Sequence, residues 1–301
     1  MLDGIDETLS PTVNRWLGDF EQAISDSNFD APEALFHRDA HWRDLLAFTW
    51  HIQTVSSAGK IVDALKALAP SVKPSGFQTN LHRTPPRVVT RAGLETVEAF
   101  FSFETACGPA SGVVRLIRDG DDRDTLKAWT LMTALDGIEG FEETVGKARP
   151  TGEAYSRNFQ GPNWLDQRRS AAAYSERDPA VLVVGGGQAG LSIAARLTQW
   201  NVDTLVVDRE DRIGDNWRNR YHALTLHNQV HVNHLPYMPF PPTWPKYLPK
   251  DKVAGWFEAY AESMEINFWT SAEFVGGSYD KRDGKWSVAV KQADGENRKM
   301  H

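Results

Sequence analysis

The chain has 301 residues and a formal net charge of −7, with 41% hydrophobic and 24% charged residues: a globular balance, with length for two domains. The acidic balance and the lack of a basic block exclude a nucleic-acid surface, and no apolar run reaches the ~20 residues needed to cross a bilayer. Met1–Ser10 is acidic and polar, unlike a secretory signal, and the single Cys107 rules out an internal disulfide or a redox dithiol, which fits a reducing cytoplasm.

The first 135 residues read as α+β. Val13, Trp16, Leu17, Phe20 and Ile24 fall on one face of a helix over Thr12–Ser25. A short helix at Pro32–Phe36, a strand around His41–Phe48 and a helix over Gly59–Leu68, stopped by Pro70, follow. Strands are then predicted at Arg87–Thr90, Thr96–Thr105, Gly112–Arg118 and Leu126–Leu135, the last three separated by turns at Gly108-Pro109 and Asp119–Asp122. Helices followed by a long antiparallel meander resemble the NTF2-like (SnoaL-like) cone fold. Some members of that family are isomerases or hydrolases with Asp, His or Tyr inside the cone, which makes His41 and Asp44 candidates. Alternation along a strand puts the two on opposite faces, so a dimerising or lid-like role is expected instead. Residues 136–178 read as a connector lying on a domain surface, with apolar anchors Phe141, Tyr155, Phe159, Trp164 and Leu165.

From residue 179 the pattern becomes α/β. Val181–Val184 is a short β-branched run typical of a buried parallel strand, and Gly185-Gly186-Gly187-Gln188-Ala189-Gly190 follows it as G-x-G-x-x-G. In that fingerprint Gly185 allows the tight turn, Gly187 lets the backbone approach a pyrophosphate, and Gly190 lets the helix sit close on the strand. The helix runs over Gln188–Trp200, with Leu191, Ala194, Ala195 and Leu197 toward the sheet. Its N-terminal N–H groups, at Gln188 and Ala189, and its dipole offer a diphosphate site. Thr204–Val207 is a second strand, ending at Asp208, where a carboxylate meets an adenosine ribose. FAD and NAD both fit this turn. Arg209 could meet a 2′-phosphate, but Asp208 beside it would repel one.

A second set of motifs follows: Gly214-Asp215-Asn216-Trp217-Arg218, then Tyr221-His222-Ala223-Leu224-Thr225-Leu226-His227, then Leu235-Pro236-Tyr237-Met238-Pro239-Phe240-Pro241. Together with the glycine turn they resemble the class B flavin monooxygenases, most closely the YUCCA-like branch, over about residues 179–290. The resemblance implies an α/β Rossmann-type FAD-binding domain over 179–301, in an NADPH-dependent enzyme that oxygenates a small molecule with O2 through a flavin hydroperoxide. It implies that the Gly214–Arg218 loop runs along the flavin, with Trp217 as an aromatic wall and Asn216 or Arg218 as hydrogen-bonding groups. It also implies that His227 orients the flavin and nicotinamide rings, and it tips the cofactor choice to FAD.

His222, His227, His231 and His234 have one spacing that suits a metal, but no Glu or Cys accompanies them and prolines interrupt the segment, so no metal is expected. Asp251 is read as the cap of a helix carrying Val253, Trp256, Phe257, Tyr260 and Met264, leading to a third parallel strand at Ile266–Trp269. A meander follows, with a turn at Asp283-Gly284 and Trp286, Val288 and Val290 on one strand face. The second glycine motif that the family uses for NADPH is not found, so the chain reads as truncated before that half. The alternative reading is a non-catalytic FAD-binding fragment joined to an NTF2-like interaction domain. An incomplete parallel sheet would leave an unpaired edge, from which association, as in a homo-oligomer, or poor solubility is expected.

Overall fold

The computed structural model describes residues 9–25, 34–119, 125–150 and 160–301. The chain divides into two units, Met1–Glu142 and Glu143–His301.

In the first unit, α1 (Leu9–Ser25) buries Val13, Trp16, Leu17, Phe20 and Ile24, the stripe its 3.6-residue period dictates. α2 (Ala58–Val72) buries Ile61, Val62, Leu65 and Ala69. Pro70 does not stop this helix but lies inside its last turn, where its missing N–H removes only one bond. The helix ends instead at Lys73, left-handed at φ 49°, whose N–H donates to the Ala69 carbonyl.

The strands β1 (Phe36–Leu45), β2 (Ile52–Ser56), β3 (Ser75–Thr79), β4 (Arg87–Arg91), β5 (Leu94–Thr105), β6 (Gly108–Arg118) and β7 (Leu126–Leu135) form one sheet. Its order is β2-β1-β7-β6-β5-β3, with β4 also paired to β5. β1 and β7 are parallel, and the other pairings are antiparallel. Alternation sends Val97, Ala99, Phe101 and Phe103 of β5 inward, onto Phe20, Phe36, Trp42, Phe48 and Phe77. Phe77 and Phe103 stack with centroids 4.6 Å apart. Gly112 makes room for this packing, because a Cβ there would lie 2.2 Å from the Phe101 ring.

Several boundaries differ from the sequence reading. β1 begins at Phe36 and ends at Leu45; residues 34–35 are helical, and Pro32 lies outside the described residues. β2 and β3 were not foreseen. Gly108-Pro109 starts β6, which leaves Ala106-Cys107 as the turn, and most of the Asp119–Asp122 turn lies outside the described residues.

Asp44, 1% exposed, is a structural residue. Its carboxylate accepts from the Phe48 and Thr49 backbone N–H groups, from Thr49 Oγ1 at 2.7 Å and from Thr133 Oγ1 at 2.6 Å. Thr133 Oγ1 in turn accepts from the buried Trp42 indole. All of this holds the chain reversal after β1. His41 is exposed on the opposite face and pairs with Ser56 Oγ at 2.8 Å.

In the second unit, the connector contributes α3 (Trp164–Ala173), opened by an Asn163–Asp166 capping box. Trp164 and Leu165 stay exposed, and Tyr155 and Phe159 lie outside the described residues. Polar groups do the anchoring: Trp164 Nε1 donates to Glu265, Arg168 to Asn267, and Trp269 Nε1 to the Ala172 carbonyl. Just beyond the helix, Tyr174 is fully buried and donates to Asp203 at 2.7 Å.

β8 (Val181–Val184), β9 (Thr204–Val207) and β10 (Asn267–Trp269) form a parallel sheet in the order β10-β9-β8. β8 is an edge, and Val184 is 57% exposed. α4 (Gln188–Gln199) buries Leu191, Ala194 and Ala195, which join Val206 and residues of α6 (Lys250–Ser263) in one core; α5 (Asp215–Arg218) is a single turn. The N-cap of α6 is Pro249; Asp251 sits in its first turn, beside the Lys250 ammonium at 2.8 Å. There its charge complements the helix dipole without capping the backbone. β11 (Glu273–Asp280), β12 (Lys285–Lys291) and β13 (Asn297–Met300) form a separate antiparallel meander.

Candidate dinucleotide site

The glycines between β8 and α4 are set by close approach. Gly185 has φ +97°, a conformation L side chains avoid. A Cβ on Gly190 would lie 1.9 Å from the Gly185 carbonyl oxygen, so only glycine lets α4 start this close to β8. Gly187 is the extended N-cap of α4 and supplies no side chain to its first turn, which leaves the turn's N–H groups facing outward. A Cβ on Gly187 would reach only Asn216 Nδ2, at 3.2 Å, so this face of the backbone opens onto Asn216.

Asp208 follows β9 and meets the turn directly. One carboxylate oxygen accepts the Gly186 N–H at 2.6 Å, and the other accepts the Glu210 N–H at 2.9 Å. The acid thus shapes the glycine turn itself, and its remaining lone pairs are what it can offer a ribose.

Two cavities flank this turn. One of about 440 Å³ is lined by Gly185, Gly187, Asp208, Arg209 and Asn216. Another of about 540 Å³ is lined by Gln188, Ala189, Trp217 and His227, with an apolar floor of Leu235, Phe240 and Phe257. Asn216 Oδ1 and Trp217 Nε1 are buried without a hydrogen-bond partner, and both side chains border these cavities. A buried orphan acceptor and donor beside an open backbone is an arrangement that a polar ligand completes.

The Gly214–Arg218 segment is a helical turn rather than a loop. Gly214, at φ +90°, packs against α6 so tightly that a Cβ would lie 2.5 Å from the Ala254 carbonyl oxygen. Arg218 lines neither cavity. Its guanidinium donates to the Ile213 carbonyl and pairs with Asp215 at 2.7 Å and Glu258 at 3.0 Å, so it braces the turn against α6. Arg209 is exposed at the smaller cavity, 3.9 Å from Glu210. His227 is exposed in the larger cavity. His234 Nδ1 accepts the Phe240 N–H at 2.9 Å, and among the described residues no group of three His, Cys, Asp or Glu could hold a metal.

The Leu235–Pro241 segment brings Leu235 and Phe240 to the cavity floor through Tyr237, at φ +66°. Glu143 accepts from the Tyr237 hydroxyl at 2.6 Å and from Arg196 at 2.5 Å, while Arg196 lies over the Tyr237 ring. Burial and the bond to Glu143 push the Tyr237 phenol up to about 12. Tyr260 donates to the Pro236 carbonyl, and its phenol is pushed up chiefly by burial.

Sequence reasoning missed Arg220, Tyr221 and Asn228, which also line the larger cavity. Arg220 lies past the C-cap Asn219 of the Asp215–Arg218 turn, where no helical spacing marked it.

Residues 183–242 match the NAD(P)-binding Rossmann-like domain. That segment holds the turn, Asp208 and all three motifs after it. Among curated relatives, indole-3-pyruvate monooxygenase YUCCA1 of Oryza sativa is 34% identical over 113 residues, which is 37% of this chain and 28% of that protein. An uncharacterized CzcO-like oxidoreductase of Geobacillus kaustophilus is 36% identical over 110 residues, or 36% of this chain and 31% of that protein. The chain thus spans under a third of the length of these relatives. A flavin-containing monooxygenase from Stenotrophomonas maltophilia superposes with a TM-score of 0.36 at 22% identity, over 41% of this chain and 36% of that one.

Proposed function

We propose that the second unit binds FAD and forms the cofactor-holding part of a flavin-dependent monooxygenase. The carrying observation is the pair of cavities on either side of the bare N-terminus of α4, with orphaned Asn216 Oδ1 and Trp217 Nε1 at their borders. A two-part cofactor needs such an arrangement: an adenosine side by Asp208 and Arg209, a diphosphate on the helix, and a ring beyond it. Gly185, Gly187 and Gly190 set the turn, Gln188 and Ala189 present N–H groups, and Trp217 walls the larger cavity. His227 sits where it would orient a ring, and Arg218 braces the turn from behind. Bound FAD would supply the redox chemistry by which electrons from NADPH reach O2 for oxygenation of a small molecule. The protein's share is to bind, orient and exclude water, and the apolar floor of Leu235, Phe240 and Phe257 suits the last task.

The strand order of the first unit, with parallel β1 and β7 inside an otherwise antiparallel sheet under two helices, supports an NTF2-like reading of it. Its inner face is filled by aromatic side chains and Asp44 is consumed by structure, so we assign it interaction rather than catalysis. The alternative is a unit that holds FAD without turnover, joined to an interaction domain. The first test is the visible spectrum of the purified chain after FAD is added and the excess removed. Retained oxidised-flavin bands near one per chain are expected, and a colourless protein would refute the FAD assignment. Steady NADPH oxidation by the loaded chain would then separate the enzyme from that alternative.

A further inference from the structure

We propose that Arg220 is the diphosphate-neutralising residue of this site, an inference that rests on the dinucleotide reading above. The larger cavity brings together the α4 N-terminus, at Gln188 and Ala189, and Arg220, and no carboxylate lines it. A diphosphate carries about two negative charges, whereas a helix N-terminus supplies roughly half of one positive charge. A further cation beside the turn would offset the remaining charge. The other arginines near the turn are committed or placed elsewhere. Arg218 pairs with Asp215 and Glu258, Arg212 with Glu258, and Arg196 with Glu143. Arg209 lines the smaller cavity, on the Asp208 side.

Arg220 alone among these faces the larger cavity, and no carboxylate of the described residues pairs with it. Its Nε donates to the Asn216 carbonyl at 3.2 Å, and its guanidinium lies 5.5 Å from the Trp217 ring centroid. Those contacts fix the stem while leaving both terminal nitrogens for an anion, and a planar fork suits two phosphate oxygens. The same contacts link Arg220 to Asn216 and Trp217, whose buried orphan atoms border the cavities. The residue thus joins the diphosphate position to the ring wall.

The test is binding of FAD, ADP and adenosine to the full chain by calorimetry, with Arg220→Gln and Arg220→Lys. Loss of a charge-assisted contact is expected to weaken FAD and ADP about ten- to a hundred-fold in Arg220→Gln. Adenosine, which has no phosphate, should bind unchanged. Arg220→Lys should recover part of the loss, and added salt should weaken the wild-type chain more than Arg220→Gln. Wild-type affinity for FAD and ADP in Arg220→Gln would overturn the assignment, as would an equal loss for all three ligands. A wild-type chain that binds none of them would overturn the dinucleotide reading itself, and this inference with it.

Discussion

Gly187 and Gly190 stand three residues apart in the same turn, yet their missing side chains do different work. At Gly190 a Cβ would sit 1.9 Å from a backbone oxygen, and backbone cannot yield as a side-chain tip can. Gly190→Ala should therefore destabilise the second unit by about 1–3 kcal/mol, the usual cost of overpacking, and weaken FAD as a consequence. At Gly187 the backbone is already extended and only the Asn216 amide must shift, by a few tenths of an ångström. Gly187→Ala should leave thermal stability within about 1 kcal/mol of wild type, because alanine tolerates that conformation. It should still lower FAD affinity, since the added methyl stands on the face offered to the diphosphate. Thermal melts with and without FAD, paired with FAD titrations, separate the two. A Gly187→Ala chain that binds FAD as tightly as wild type would refute the assigned approach.

The Leu235–Pro241 segment shows how an element is held in a costly shape. Tyr237 is left-handed, which costs an L residue about 1–2 kcal/mol, and it is kept there by Glu143, by Arg196 stacked on its ring, and by Tyr260 gripping the preceding carbonyl. Removing the common acceptor leaves the Tyr237 O–H without an acceptor and Arg196 with only the Tyr237 oxygen, at 3.2 Å. Glu143→Ala should lower the unfolding free energy by about 1–3 kcal/mol in urea titrations. It should also loosen the cavity floor, read as weaker FAD binding; unchanged stability would remove the latch from this account. The segment also marks where the sequence was legible. The glycine turn was readable because backbone geometry dictates glycine there, whereas this segment was read only through its resemblance to a family motif. β5 was readable because Val97, Ala99, Phe101 and Phe103 alternate into a core. β2 and β3 were not: Ile52–Ser56 buries no residue fully, and in Ser75–Thr79 Phe77 is the only large apolar side chain, so neither carries a period. Between Arg218 and Arg220, residue type could not say which arginine faces the cavity. Arg218 was drawn away by Glu258, a residue some forty positions later, and Arg220 was left to line it.

At the scale of the molecule, the carboxyl held down to about 2 lies in the first unit and the phenols pushed up to about 12 lie in the second. In the second unit burial would raise the Asp203 carboxyl, but bonds from Arg177 and Tyr174 outweigh it and lower that group as well. Glu98, 3% exposed, sits among Arg87, Arg91 and Arg115 at 2.8–3.0 Å. Burial alone would raise its carboxyl, but the three guanidinium bonds outweigh this and hold it at about 2 against a usual 4.5. A depressed carboxylate stabilises the native state fully above pH 4.5, and that contribution is lost as the pH falls toward 2. The loss should be about 2–3 kcal/mol, in the first unit. In the second unit Tyr174 and Tyr237 are pushed up to about 12 from a usual 10, chiefly by burial and then by bonds to Asp203 and Glu143. Their sign is opposite: a raised phenol stabilises fully below pH 10, and the contribution is lost as the pH rises toward 12. Scanning calorimetry from pH 2 to 12 should therefore show two transitions, one falling mainly in acid and the other mainly in alkali. Glu98→Gln should flatten only the acid limb, and Tyr237→Phe should soften only the alkaline one. A single transition that moves as a whole at both ends, or a Glu98→Gln chain whose acid limb is unchanged, would refute this division. An unchanged acid limb in Glu98→Gln would mean that the three arginines on Glu98 do not act as the clamp on β4, β5 and β6 that their distances describe.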